Sequence, residues 1–270
     1  MVKRRRSAEK WILDRSTLRR TEARTGVSHM AHWKMVQDYA MHIPSPFEHY
    51  LKNRNHVSGV LLLDGKYVLI RGVPHCILLA YDTKLGVVGF EIANSENITV
   101  YRDLVELLVR AGYPLQCIVS DGHTAISHIV TLQRVPHQRC IFHLLKELRV
   151  MLTDSGRLTG SDLILFSRLR FMLLASTLEA FSEQYAVFRS RTVYAFRTYQ
   201  QRQAIRKFIA VLPDAIMHLS FEKGLVPRTS NSIENCIGQI EARLKTFRGV
   251  KSKPSLHNLL KVLFRFRNYH

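Results

Sequence analysis

The pattern of apolar and polar positions divides the chain into a helical start, a strand-rich middle and a helical stretch before its last part. Helices are expected over residues 16–23 and 29–39. Between them, Thr25-Gly26-Val27-Ser28 reads as a tight turn, with Gly26 free to take a positive φ and Ser28 placed to cap the second helix. Ile43-Pro44-Ser45-Pro46 breaks the pattern and reads as a linker. From residue 57 the pattern favours strands: an apolar run over 57–63, Asp64-Gly65, then 66–71; a second strand over 76–81; a turn at 83–86; a third strand over 87–93. Three strands with short connections predict an antiparallel meander. A helix over 99–111 carries Leu104, Leu107, Leu108 and Ala111 on one face, and Gly112 and Pro114 end it. Residues 115–120 form a continuous buried-type strand that closes on Asp121-Gly122. A short helix over 124–131, a strand over 139–142 and a helix from 143 follow. The stretch 162–212 reads as helix only, with Leu163, Phe166, Leu169, Leu173 and Leu174 at intervals of one to four.

The order β-β-β-α-β-α-β-α predicts an α/β fold: a mixed sheet with flanking helices, its first three strands antiparallel, in the ribonuclease-H-like arrangement. On this reading residues 1–46 are a helix-turn-helix-like DNA-binding segment and linker, and 47–270 the main domain, with a helical insertion at about 154–225. The helix-turn-helix outline is short, and helical hairpins that bind nothing share it.

Charge sharpens the picture. The 270 residues carry 40 Lys and Arg against 21 Asp and Glu, a net +19. A surplus this large repels itself unless it meets a polyanion, and nucleic acid is the usual one. Arg19, Arg20 and Arg24 place part of it on the helix-turn-helix-like segment, and Arg243, Lys245 and Arg248 place part near the last predicted helix. These are the candidate DNA contacts, with a solvated basic face as the alternative. No apolar run approaches the roughly 18 residues that cross a bilayer. No apolar stretch follows the basic first residues as a secretory signal requires. The expectation is no membrane partner and a cytoplasmic, nucleoid-associated location. The four cysteines form no Cys-x-x-Cys pair, which argues against a zinc ribbon, and Cys76 and Cys117 read as core.

Three acids are candidates for chemistry. Asp64 closes one apolar run and Asp121 another, each followed by a glycine that lets the chain turn away. If the two strands are neighbours, both carboxylates emerge at one sheet edge, where like charges repel unless cations join them. Oxygen-only ligation suits Mg²⁺ or Mn²⁺. Glu234, on a helix beginning near Asn231, offers a third carboxylate. Two ions about 4 Å apart then support phosphodiester chemistry, one activating a nucleophile and the other stabilising the leaving oxygen. Each acid also has a structural explanation. Asp-Gly is a common turn dipeptide, and Asn231-x-x-Glu234 fits a capping box. Asp82 ends a strand too, but residues 83–86 explain it as a hairpin turn. His123 is a candidate to orient a phosphate or water.

The local sequence separates these readings. Val57-Ser-Gly-Val-Leu-Leu-Leu-Asp64-Gly-Lys-Tyr, Ile118-Val-Ser-Asp121-Gly-His, Cys140-Ile-Phe-His143 and Thr229-Ser-Asn-Ser-Ile-Glu234-Asn, in that order, resemble DDE transposases of the bacterial insertion-sequence group related to eukaryotic Mutator elements. The resemblance spans about 57–251. It implies a ribonuclease-H-like fold and metal-dependent cleavage and strand transfer of DNA. Asp64, Asp121 and Glu234 would hold two Mg²⁺ or Mn²⁺ ions, with Cys140, His143 and Asn231 in support. It also implies double-stranded DNA, as element ends and target, and a homo-oligomer on that DNA. Relatives often carry a longer N-terminal region, which here is represented by the helix-turn-helix-like segment. Two other classes share features: a transposase-derived DNA-binding protein without catalysis, which would be free to lose the acidic set, and a ribonuclease-H-like nuclease or resolvase, which lacks the late glutamate helix after an insertion.

Overall fold

In the computed structural model the first strand does not stop at the Asp-Gly pair. β1 (Val60–Ile70) runs straight through it and pairs antiparallel with β2 (Val73–Asp82), Asp64 opposite Leu79 and Gly65 opposite Leu78. The glycine here eases a close approach rather than making a turn. A Cβ there would lie 2.9 Å from Glu96 Cδ and 3.1 Å from Cys76 Sγ. The reversal comes at Arg71-Gly72, both at positive φ (52° and 82°), which suits the right-handed twist of a two-residue hairpin. β3 (Gly86–Ala93) completes the antiparallel meander, and β4 (Cys117–Ser120) and β5 (His137–Arg139) pair in parallel. The strands make one five-stranded mixed sheet in the order β3-β2-β1-β4-β5. With its flanking helices this is the α/β, ribonuclease-H-like arrangement expected.

The structure describes all residues except 1, 14–15, 154–156, 193–194, 197, 247–249 and 269–270. It divides into two compact units, Met1–Leu115 with Asn231–His270, and Gln116–Ser230. In the first, consecutive residues of β3 face opposite sides. Gly89 admits Leu104 of α5 (Ile98–Arg110), where a Cβ would lie 2.9 Å from Leu104 Cδ1. Phe90 packs instead on Phe264 of α12 (Lys253–Asn268), ring centroids 5.3 Å apart.

The N-terminal segment is built as read, with additions. α2 (Leu18–Thr25) ends on Gly26 in the left-handed conformation, and Ser28 caps α3 (His29–Met41) by accepting from Ala31 N. A preceding helix, α1 (Val2–Leu13), was hidden by its basic composition. Ala8 and Trp11 of α1 and Val36, Tyr39 and Ala40 of α3 share a core with Leu259, Val262 and Phe266 of α12. Each such fully buried large side chain contributes about 1.5–3 kcal/mol, so the boundary expected at residue 46 falls inside one compact unit. The stretch at 43–46 is not a loose linker. Ser45 caps α4 (Pro46–Asn53) in a capping box with Glu48, and Pro46 takes the first helical turn, where its missing N–H costs nothing.

The second unit contains α6 (Thr124–Gln133), α7 (Ile141–Leu152) and the insertion helices α8 (Gly160–Leu173), α9 (Leu178–Val187) and α10 (Tyr199–Ala215). Leu144 and Leu148 of α7, Leu165 and Leu169 of α8 and Phe208 and Leu212 of α10 form its core. The helices expected as an insertion thus contribute to this unit's core. Among the described residues no helix is long and apolar enough to cross a membrane.

Candidate active site

Three aspartates lie on the strands or just past their ends, and their surroundings separate them. Asp82 is fully buried. Its Oδ2 accepts from Ser58 N (2.9 Å), Ser58 Oγ (2.7 Å) and Tyr113 OH (2.6 Å), and its Oδ1 from Lys84 N (2.9 Å) and Leu85 N (2.8 Å). Five donors fill the acceptor capacity of a carboxylate. Asp82 is a structural staple for the hairpin, as its turn suggested.

Asp121 differs. It follows the fully buried β4 and is half-buried. Its Oδ1 accepts from His123 N at 2.8 Å. Gly122 beside it has φ +88°, and a Cβ there would collide with the Arg139 guanidinium. Here the glycine does make the turn that the sequence suggested for both Asp-Gly pairs. His123 caps α6, its Nδ1 accepting from Ala125 N (3.3 Å).

Cys140 is buried at the N-cap of α7. Burial alone would push its thiol pKa up, but hydrogen bonds with His143 and Ser230 outweigh this and lower it. Burial pushes the Cys76 and Cys117 thiols up to about 12, as befits core cysteines. Ser230 N donates to Cys140 Sγ (3.4 Å) and Ile141 N to Arg228 O (3.0 Å). Cys140 and its neighbour therefore pin the segment 228–230, which leads directly into α11 (Asn231–Thr246).

Asp64 and Glu234 both belong to the first unit, and both are half-buried. Asp64 Oδ1 accepts from Gly65 N at 2.8 Å. Two anchors set the direction of α11 along β1. Lys66 pairs with Glu241, and this hydrogen bond holds the glutamate below the usual carboxylate range. Further on, Ile70 bridges Val250 in parallel, with Arg71 N donating to Val250 O. Glu234 is seven residues before Glu241, about 10.5 Å along a helix. Asp64 is two before Lys66, about 6.7 Å along a strand. Along the strand–helix pair the two acids are thus offset by only about 4 Å. Asn231 is exposed and begins the helix. Glu234 then lies one place beyond the third helical position that a capping box uses.

The expected basic contacts fare unevenly. Arg19, Arg20 and Arg24 are exposed on α2, and Lys245 is exposed on α11. Arg243 does not fit the expectation: it is 6% exposed, which keeps its guanidinium from a duplex at the surface. Arg248 lies outside the described residues. Sequence reasoning missed His137, a buried histidine bonded to Ser120 and Asp214. Partners 17 and 77 positions away leave no local pattern to read.

Residues 51–265 match the family of Mutator transposases. Among curated proteins none matches the chain. Among solved structures, the cryo-electron microscopy structure of the simian T-cell lymphotropic virus intasome in complex with the PP2A regulatory subunit B56 gamma is similar over 72% of this chain and 70% of that one. At 11% identity and a TM-score of 0.28, that likeness is too slight to indicate a function.

Proposed function

The chain belongs to the Mutator family of transposases, and on that premise we propose that it cuts and joins DNA strands with Asp64, Asp121 and Glu234 as its metal-binding acids. The observation that carries the reading is the small offset, about 4 Å, between Asp64 on β1 and Glu234 on α11 along the strand–helix pair, with Asp121 on a half-buried turn after β4. The donor set is oxygen-only, which fits Mg²⁺ or Mn²⁺ and not a soft metal. Two such ions would supply a nucleophilic water or 3′-hydroxyl and charge stabilisation at the leaving oxygen.

The protein's own contribution is positioning. Pairing with β2 holds Asp64 in register, and the Lys66–Glu241 pair holds α11 along β1. Cys140 and His143 would support the site through the segment that enters the glutamate helix. The exposed arginines of α2 and Lys245 would contact DNA phosphates, with element ends and target DNA as partners and a homo-oligomer as the assembly on that DNA.

The test is a nicking and strand-transfer assay on duplex DNA with Mg²⁺. Asp64→Asn, Asp121→Asn and Glu234→Gln should each abolish cleavage while keeping DNA affinity, and that affinity should fall steeply with salt as counterions are released. Cleavage surviving in any of the three variants removes that residue from the site. Salt-sensitive binding by a wild type that never cuts would leave a DNA-binding protein without catalysis.

A further inference from the structure

The Asp121 turn is held by two polar chains, and both end on one helix of the insertion. In the first, Gly122 N donates to Ser120 Oγ (3.1 Å), Ser120 Oγ bonds His137 Nε2 (2.9 Å), and His137 Nδ1 bonds Asp214 Oδ2 (2.8 Å). An ionised carboxylate only accepts, so the ring proton on this side sits on Nδ1. In a neutral ring Nε2 then accepts from the Ser120 hydroxyl, whose oxygen accepts from Gly122 N. The arrangement has the members of a Ser-His-Asp triad, but Ser120 is fully buried. No substrate carbonyl can reach it, so the chain is not a hydrolase site.

In the second chain the Arg139 guanidinium lies over Gly122, filling the space a Cβ would take. Its Nη2 donates to Glu147 Oε2 (2.7 Å), and Glu147 Oε1 pairs with Lys207 Nζ (2.9 Å). Lys207 and Asp214 are both on α10, seven residues and so about two helical turns apart, which puts them on one face.

We propose that α10 is the positioning strut of Asp121: Asp214 and His137, acting through Ser120, fix the turn that aims this carboxylate. Asp214 and His137 are positioning residues, since neither touches the reacting atoms. This rests on Asp121 being a metal-binding acid, and it gives the insertion a part in building the site. Partners that orient metal ligands from behind typically change metal affinity or activity by 10–100-fold when removed.

The decisive comparison uses the full chain with Asp214→Ala and Asp214→Asn. The Asp214 side chain is 47% exposed, so neither change should unfold the unit, and melting temperatures should stay within about 2 °C. Mn²⁺ affinity, read by electron paramagnetic resonance without DNA, should fall by about 10–100-fold in Asp214→Ala. It should return most of the way in Asp214→Asn, whose amide oxygen still accepts from His137. Exchange of the Gly122 and His123 amides should quicken at least tenfold in Asp214→Ala, with or without metal. His137→Gln is the second variant and should behave like Asp214→Ala. Unchanged amide exchange in Asp214→Ala, or no recovery with Asn, overturns the strut. A wild type that binds no Mn²⁺ while its Asp214→Ala variant still loses amide protection would overturn the metal reading and leave the strut as the support of the turn.

Discussion

Asp82 and Asp121 each stand at the end of a buried strand, just before a turn, yet their surroundings differ in kind. Asp82 is sealed, with five donors on its two oxygens. Asp121 is half-buried and reached by the backbone N–H of its own turn, while the heavier polar scaffolding goes to its neighbours Ser120 and Gly122. A carboxylate that finishes its hydrogen bonds inside the fold contributes stability and has little left to offer a ligand. One whose neighbours are braced while its own oxygens stay accessible is placed for use. The difference is invisible in the two local sequences, because the donors to Asp82 come from 24 and 31 positions away as well as from its own turn.

The largest expected effect is on activity. Asp121→Asn should cut Mg²⁺-dependent nicking by roughly a thousandfold or more, the several kcal/mol that a metal site contributes to the transition state. Its apo stability should change by less than about 0.5 kcal/mol. Saturating Mg²⁺ at a hundred times its dissociation constant should stabilise the wild type by about 2.7 kcal/mol and the variant much less. Melting curves with and without Mg²⁺, beside the nicking assay, check both halves. Asp82→Ala should do the reverse. It strands the buried donors of Ser58 and Tyr113, at a cost of roughly 3–5 kcal/mol by denaturant unfolding. Should Asp82→Ala prove as mild as Asp121→Asn, the contrast between sealed and usable carboxylates fails.

An acid titration sharpens the comparison from the side of the second unit. His218 is 8% exposed. Burial first, then the Arg228 charge, pushes its ring pKa down to about 4. An unfolded histidine protonates near 6.5. The folded value is depressed, so its stabilising contribution is complete above pH 6.5 and is lost as pH falls toward 4. The loss at pH 4.5 should be roughly 2–3 kcal/mol, seen as lost amide protection in residues 116–230. His218→Gln should flatten that dependence. A variant as acid-sensitive as the wild type would assign the loss elsewhere.

Much of the fold was legible because strands and helices here keep clean periods. The meander and the buried β4 follow from alternation and apolar runs, but the α5 face was legible only in part: Leu104 and Leu108 are buried as expected, Leu107 is 45% exposed, and Tyr101 and Val105 are buried with them. α1 and α12 were not legible as partners, because a core between residues 8 and 262 has no local signature. β5 came out at 137–139 rather than 139–142, since Cys140 is the cap of α7 and not part of the strand. The candidate acids could be picked out, but their settings could not. Asp64-Gly65 looks like a turn and is strand, because pairing with β2 outweighs what the dipeptide prefers on its own.

That pair also supplies the smallest and most discriminating test, because the same two letters, Asp-Gly, occur in two conformations. Gly122→Ala forces a Cβ onto a residue at φ +88° and into the Arg139 guanidinium. The left-handed backbone costs about 1–2 kcal/mol for a residue with a Cβ. Displacing the guanidinium also pulls it from Glu147, so the Asp121 turn should loosen and nicking should fall with stability. Gly65 has no positive φ. An added Cβ meets Glu96 Cδ, at the far end of a flexible side chain held by Tyr101 OH, and Cys76 Sγ. Those neighbours must give slightly, but the unfolded chain loses about 0.4–1 kcal/mol of backbone freedom with alanine. The two effects nearly offset, and Gly65→Ala should change stability by less than about 1 kcal/mol. Unfolding curves of the two variants should therefore differ, with Gly122→Ala the weaker protein. If Gly65→Ala is the more damaging, the close approach of Glu96 and Cys76 is a tighter constraint on the Asp64 strand than the left-handed turn is on Asp121.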